Sequence, residues 1–182
     1  MDYNNGLWVF GYGSLIWNPG FDYAEMQLAS LGGFHRAFCM WSIHYRGTEE
    51  IPGLVLGLDD ASESHCEGVA YYVSPENAAL VHKYLRKREL VSYAYLEQVH
   101  ALDLSDGRNV EALCYIVDPS HSQYATGLDL PAQAAVIAAA AGSAGPNRDY
   151  LLNTSEHLTQ LGIIDEDMAQ LCELVRADAG QD

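Results

Sequence analysis

Positive charge is scarce in this chain: nine Lys and Arg stand against 25 Asp and Glu, a formal net charge of −16. Such a surface repels phosphate backbones and anionic membranes, which argues against nucleic acid or a lipid surface as partner. A small anionic substrate stays open, because a few local cations can dominate the field inside a pocket. Cysteine is sparse as well. Cys39, Cys66, Cys114 and Cys172 are far apart, with no C-x-x-C pair and no histidine at zinc-ligand spacing. They read as small core residues of a reducing compartment.

Long apolar runs are missing too. The alanine-rich stretch 132–141 is too short to span a bilayer, and the short run 7–10 after Asp2 is no secretory leader. The expectation is a soluble cytoplasmic protein. Several common chemistries also lack their residues. Gly11-x-Gly13 is followed by Ile16 where a dinucleotide fingerprint needs glycine, and no Walker loop, H-E-x-x-H or G-x-S-x-G elbow occurs. The seven histidines are scattered, so no metal or other cofactor is called for.

What is present is a chain of 182 residues, 49% of them apolar, enough for one well-packed domain. Residues 7–10 read as a strand stopped by the glycine turn that follows. Residues 26–43 read as two strands, or as one strand bent at Gly32 and Gly33. Two further strands are expected at 53–58 and 68–73, separated by polar residues 59–67. Ser74, Pro75 and Glu76 form a helix start, and that helix runs to about Glu89. Residues 91–104 and 110–117 then look like a strand pair joined at Ser105, Asp106 and Gly107. Helical periods follow at 131–141, 146–161 and 165–176, with Gly162 ending one helix and Asp165 capping the next. The natural architecture is α+β: strands closing toward a small barrel, flanking helices and a helical C-terminal segment.

Four segments carry candidate chemistry. The first is Gly11, Tyr12, Gly13, Ser14, Leu15 and Ile16. A glycine-rich turn after a strand exposes successive backbone N–H groups, which can form a nest for a carboxylate or an oxyanion hole. The same glycine pair is equally the mark of a plain tight turn with φ > 0. The second is the helix end, where Val81, Leu85 and Glu89 share one face while Lys83, Arg86 and Lys87 can point outward. A carboxyl continuing an apolar stripe has its pKa raised by burial, and the negative end of the helix dipole acts in the same direction. That is the tuning acid–base work near neutral pH requires. The other reading is a frayed last turn in which Glu89 pairs with a neighbouring cation.

The third segment is His44, Tyr45, Arg46, Gly47 and Thr48, with Pro52 and Gly53 beyond it. Arg46 could hold a substrate carboxylate in a bidentate fork, or it is a surface loop arginine. The fourth, Gly145-Pro146-Asn147-Arg148-Asp149-Tyr150-Leu151, reads as helix capping and packing.

Together and in this order, these segments resemble the ChaC-like branch of the γ-glutamylcyclotransferases. V-F-G-Y-G-S-L-I-W at 9–17 is similar to the family's substrate loop, and Y-R-G-T with P-G-L-V-L-G-L at 45–58 to its second signature. C-x-G-V-A-Y at 66–71 and Y-L-R-K-R-E at 84–89 are similar to its central strand and catalytic helix, and G-P-N-R-D-Y-L at 145–151 to its C-terminal segment. The resemblance implies one domain over 1–182 and a small closed barrel with a cavity at one mouth. It implies cleavage of glutathione to 5-oxoproline and cysteinylglycine without metal or cofactor. It places the catalytic glutamate on Glu89 and the substrate loop on residues 11–16. Leu54 departs from it, standing where some members carry a basic residue, and residues 49–51 are less proline-rich than the family pattern. Two other readings remain: a cyclotransferase acting on other γ-glutamyl amino acids or amines, and a γ-glutamyl-binding module without turnover.

Overall fold

The computed structural model describes residues 3–178, so the outermost positions of the expected 1–182 domain lie outside the described residues. Five strands form a closed barrel: β1 (Leu7–Gly11), β2 (Glu25–Ser42), β3 (Gly53–Val73), β4 (Tyr95–Leu104) and β5 (Asn109–Val117), in the spatial order β1-β3-β2-β4-β5. β1 runs antiparallel to β3, from Leu7 opposite Val73 to Gly11 opposite Val69. On its other side it runs parallel to β5, with Trp8 opposite Ala112 and Val9 opposite Leu113. β4 and β5 pair along their whole length, from Tyr95 opposite Val117 to Asp103 opposite Asn109. β2 meets β4 at Ala29 opposite Leu104 and Ser30 opposite Asp103.

Helix α1 (Pro75–Glu89) follows β3, and α2 (Leu130–Ala139), α3 (Asn147–Gln160) and α4 (Glu166–Asp178) make up the C-terminal segment. Two two-residue strands, β6 (Ala141–Gly142) and β7 (Gly145–Pro146), pair between α2 and α3. Contacts divide the chain into two units, Met1–Arg36 with Leu58–Pro119 and Ala37–Gly57 with Ser120–Asp182.

The first unit has a core built from the apolar stripe of α1. Ala78, Val81 and Leu85 pack with Leu7, Val9, Leu15, Val73, Leu113 and Tyr115. Burying one such aliphatic side chain contributes roughly 1.5–3 kcal/mol, so the stripe fixes α1 firmly. In β5, residues 112–117 are buried without alternation, which is the signature of a strand covered on both faces. In the second unit, α4 packs on α2 and α3, burying Met168, Leu171, Cys172 and Val175. Asn147, fully buried at the start of α3, clamps Leu54, the second residue of β3. Its Oδ1 accepts from the Leu54 N–H at 2.6 Å and its Nδ2 donates to the Leu54 carbonyl at 2.7 Å.

The structure corrects several boundaries. Of the two readings of residues 26–43, the structure takes the single strand, with Gly33 inside it at φ +83°. β3 is a single strand of 21 residues that runs straight through the polar stretch 59–67. Strand pairing is made by the backbone, so a run of exposed polar side chains need not interrupt it. β4 starts at Tyr95 rather than residue 91, because residues 91–93 bend and Tyr93 takes φ 57°. α2 ends at Ala139 because Ala141 enters the small β6–β7 hairpin. Asp165 caps α4 as expected, accepting from the Met168 N–H at 3.0 Å. Ser74 stands at the start of α1 but makes no side-chain cap to the helix.

Candidate active site

Glu89 is the last residue of α1, and the packing of Val81 and Leu85 decides where it points. Its Oε1 is sealed from solvent, while the side chain as a whole keeps 18% exposure. Arg88 Nε lies 3.0 Å from that oxygen, a close ionic contact without the alignment of a hydrogen bond. Burial raises the pKa of Glu89 above the ordinary carboxylate value, and the Arg88 charge opposes that rise. The two readings of this helix end therefore meet in one geometry: the carboxyl is buried on the apolar face, and it stands beside a cation. Lys83, Arg86 and Lys87 are exposed.

The turn 11–16 leaves the end of β1 and closes as a short 3-10 turn, Ser14–Ile16. Gly11 and Gly13 do not have the positive φ that a plain glycine turn would suggest; Gly13 sits at φ −132°. Close approach explains Gly11 instead. A Cβ there would stand 3.1 Å from Leu15 Cβ and 3.2 Å from a Val69 methyl. Gly68, from C-x-G-V-A-Y, is required more strictly, since a Cβ on it would lie 2.4 Å from the Gly11 carbonyl oxygen.

The carbonyl groups of this turn are tied back into the protein. Arg36 Nε donates to Tyr12 O at 2.6 Å, and the Ile16 N–H donates to Gly13 O at 2.9 Å. The Asn18 N–H donates to Ser14 O at 2.9 Å. Tyr71 Oη lies 3.0 Å from Leu15 O and 3.1 Å from Ile16 O, and burial pushes its phenol pKa up, so it stays a donor. Among the described residues, the N–H groups of Gly13, Ser14 and Leu15 have no protein acceptor. Adjacent N–H groups left over in this way are the requirement for holding an anion or a developing oxyanion.

One side chain joins the turn to the glutamate. Arg88 Nη2 donates to Ser14 Oγ at 2.9 Å, and Nη1 donates to Asn18 O at 2.6 Å and Pro19 O at 3.1 Å. Beside them lies a polar network that sequence reasoning did not anticipate. Tyr115, buried on β5, donates its hydroxyl to Glu97 Oε2 at 3.2 Å, and its carbonyl accepts from the Tyr12 hydroxyl at 2.9 Å. Burial, followed by the charges of Glu97 and Glu89, holds the Tyr115 phenol in its protonated form. His82 Nε2 lies 2.9 Å from the same Glu97 oxygen, and its Nδ1 faces the Tyr3 hydroxyl. No local pattern announces such contacts, because the partners are far apart in sequence.

Arg46 belongs to the second unit, and its guanidinium is engaged there. Nη1 donates to Pro146 O at 3.1 Å, and the group stands over the Tyr150 ring at 5.6 Å. The segment 145–151 packs and clamps, as its plain reading had it. Leu54 is fully buried. All four cysteines are buried free thiols, and burial pushes Cys114 up to about 12. Among the described residues, no group of three or more His, Cys, Asp or Glu side chains could hold a metal ion. Among the same residues, no helix is long and apolar enough to cross a membrane.

Known proteins share this arrangement of elements. The family model described as ChaC-like protein matches residues 7–178. A glutathione-specific gamma-glutamylcyclotransferase of Escherichia coli (strain K12) is 38% identical over 170 residues, covering 93% of this chain and 73% of its own. A human relative, glutathione-specific gamma-glutamylcyclotransferase 1, is 32% identical over 173 residues, covering 93% and 78%. The crystal structure of a γ-glutamyl cyclotransferase specific to glutathione from yeast superposes with a TM-score of 0.86 at 26% identity. The match covers 94% of this chain and 96% of the yeast protein. With one family model spanning nearly the whole of the described chain, and relatives above 30% identity along most of it, this chain belongs to the ChaC-like family.

Proposed function

We propose that this protein is a γ-glutamylcyclotransferase that cleaves glutathione to 5-oxoproline and cysteinylglycine, with Glu89 as its proton carrier. The observation that carries the reading is the buried carboxyl of Glu89, joined by Arg88 to a turn in which, among the described residues, the N–H groups of Gly13, Ser14 and Leu15 have no protein acceptor. The glutathione specificity of the relatives supports the substrate.

The reaction needs no nucleophile from the enzyme. The glutamyl α-amine attacks the γ-carbonyl of the same residue, a C–N bond forms in a five-membered lactam, and the bond to the cysteinyl nitrogen breaks. Holding the bent conformer is the main task, and well-aligned intramolecular attack can supply on the order of 7–11 kcal/mol. Proton accounting then defines the role of Glu89. The attacking nitrogen enters as an ammonium and ends as a lactam N–H, so it sheds two protons. The leaving nitrogen starts as an amide N–H and ends as an ammonium, so it gains two. Glu89 takes a proton from the first nitrogen and returns it to the second, one at a time. The N–H groups of Gly13, Ser14 and Leu15 hold the glutamyl carboxylate or the oxyanion that develops on the γ-carbonyl. Within this reading Gly11, Tyr12 and Ile16 shape the cradle, and Arg46 is a further candidate for a substrate carboxylate.

The same reading takes the chain as one domain acting in the cytoplasm on a small molecule, with no metal or cofactor in the chemistry. The single family model over residues 7–178 supports the one-domain view. The excess of acidic residues argues against nucleic-acid and membrane partners. The test is 5-oxoproline release from glutathione and from a panel of γ-glutamyl amino acids and amines, with and without chelator. The expected result is release from glutathione that survives EDTA and exceeds release from the rest of the panel. Preference for another γ-glutamyl compound would reassign the substrate. Binding without release would make the protein a γ-glutamyl-binding module.

A further inference from the structure

Arg88 has three nitrogens, and each is committed. Nη2 donates to Ser14 Oγ at 2.9 Å. Nη1 reaches Asn18 O at 2.6 Å, Pro19 O at 3.1 Å and Tyr84 Oη at 3.2 Å. Nε stands 3.0 Å from Glu89 Oε1. The side chain is only 20% exposed, and Tyr84, one helical turn earlier, packs edge-on against Phe21 at its side.

We propose that Arg88 is a positioning residue that couples the glycine turn to Glu89, fixing the chain after β1 with two nitrogens while the third stands against the carboxylate. The inference rests on the reading of Glu89 as proton carrier and adds to it. A guanidinium is planar and rigid, so its three nitrogens cannot move independently. Any shift of the turn at Ser14 or Asn18 is transmitted to the charge beside Glu89, and any shift of Glu89 is felt at the turn. A buried carboxyl with no cation near it favours its neutral form, which cannot act as a base. Arg88 opposes that, and unlike a lysine it cannot lose its own proton.

The other groups around Glu89 do not replace it. On α1, Arg86 and Lys87 are exposed. On β5, Tyr115 is neutral and bonded to Glu97. On β4, Glu97 is itself an acid, lying near His82 and Arg86. On the turn, Ser14 is a neutral hydroxyl already held by Arg88.

The test compares wild type, Arg88→Gln and Arg88→Lys. Glu89 is followed by carboxyl 13C NMR titration in the substrate-free protein, and kcat/KM by 5-oxoproline release. In Arg88→Gln the Glu89 carboxyl titrates at higher pH than in wild type, and the acid limb of kcat/KM moves up with it. In Arg88→Lys the charge stays, so the titration stays near wild type. The fork is lost in both, so kcat/KM falls in both by roughly tenfold to a hundredfold, the scale of a misplaced reacting group. If Arg88→Gln does not fold, Arg88→Lys carries the test through its loss of kcat/KM at unchanged titration. Glu89 titrating at the same pH in Arg88→Gln as in wild type, or full turnover by Arg88→Lys, overturns the proposal. The titration needs no substrate, so an inactive wild-type protein would defeat the catalytic reading and still leave the coupling measured.

Discussion

Glu89 joins two properties that oppose each other, burial and a neighbouring guanidinium, and its behaviour with pH follows from their balance. Burial raises its pKa above the ordinary 4.5, and Arg88 lowers it in part. A base must be ionised to act, so kcat/KM is expected to fall as pH drops through that raised pKa, giving an acid limb above 4.5. The stability consequence has the opposite sign. A carboxyl whose pKa is raised on folding stabilises the fold below its unfolded pKa, and that contribution is lost as pH rises through the folded pKa. Thermal melts should therefore find Glu89→Gln more stable relative to wild type at neutral pH than below pH 4.5. A difference that does not change with pH would mean that the carboxyl is not desolvated. Arg46 lies in the other unit, on the Tyr150 ring. Among the described residues its guanidinium donates to Pro146 O, and a five-donor fork has further donors to offer a substrate carboxylate. Arg46→Ala is expected to raise KM for glutathione with little change in kcat, since it removes binding common to ground and transition states. Wild-type kinetics would leave Arg46 a packing residue over Tyr150.

At the scale of elements, the turn 11–16 is held from several sides, by Tyr71, Arg36 and Arg88. Gly11 serves clearance, and the N–H groups of Gly13, Ser14 and Leu15 have no protein acceptor among the described residues. Gly13→Val should therefore cost more in glutathione binding and turnover than in melting temperature, because a branched side chain would sit among the N–H groups. Calorimetry on the folded variant checks this, and unchanged affinity would return Gly13 to a purely local role. Much of this element was legible in the sequence. The strand, the glycine turn and the Val81–Leu85–Glu89 face follow from local periodicity, which the folded structure keeps. Arg88 was not legible, because a run of cations at 86–88 says nothing about which one folds inward. Tyr71 and Arg36 were hidden for a related reason: they reach the turn from 56 and 24 residues away in sequence. β3 was divided in two because residues 59–67 are polar, although its ladder is made by the backbone.

At the scale of the whole molecule, a five-stranded closed barrel carries α1 against β1, β3 and β5, and that packing brings the end of the helix to the turn after β1. The barrel was legible as a count of strands and glycine stops, whereas the parallel β1–β5 closure depends on long-range pairing that no local window contains. In the proposed function this frame presents one carboxyl as a proton carrier to a substrate that cyclises on itself. The most direct measurement is 5-oxoproline release from glutathione by Glu89→Gln, with circular dichroism to confirm the fold and calorimetry to report binding. Glutamine keeps the shape and cannot carry a proton, so turnover should fall by about 10²- to 10⁴-fold while glutathione still binds. Turnover at the wild-type rate by the folded variant would contradict the account.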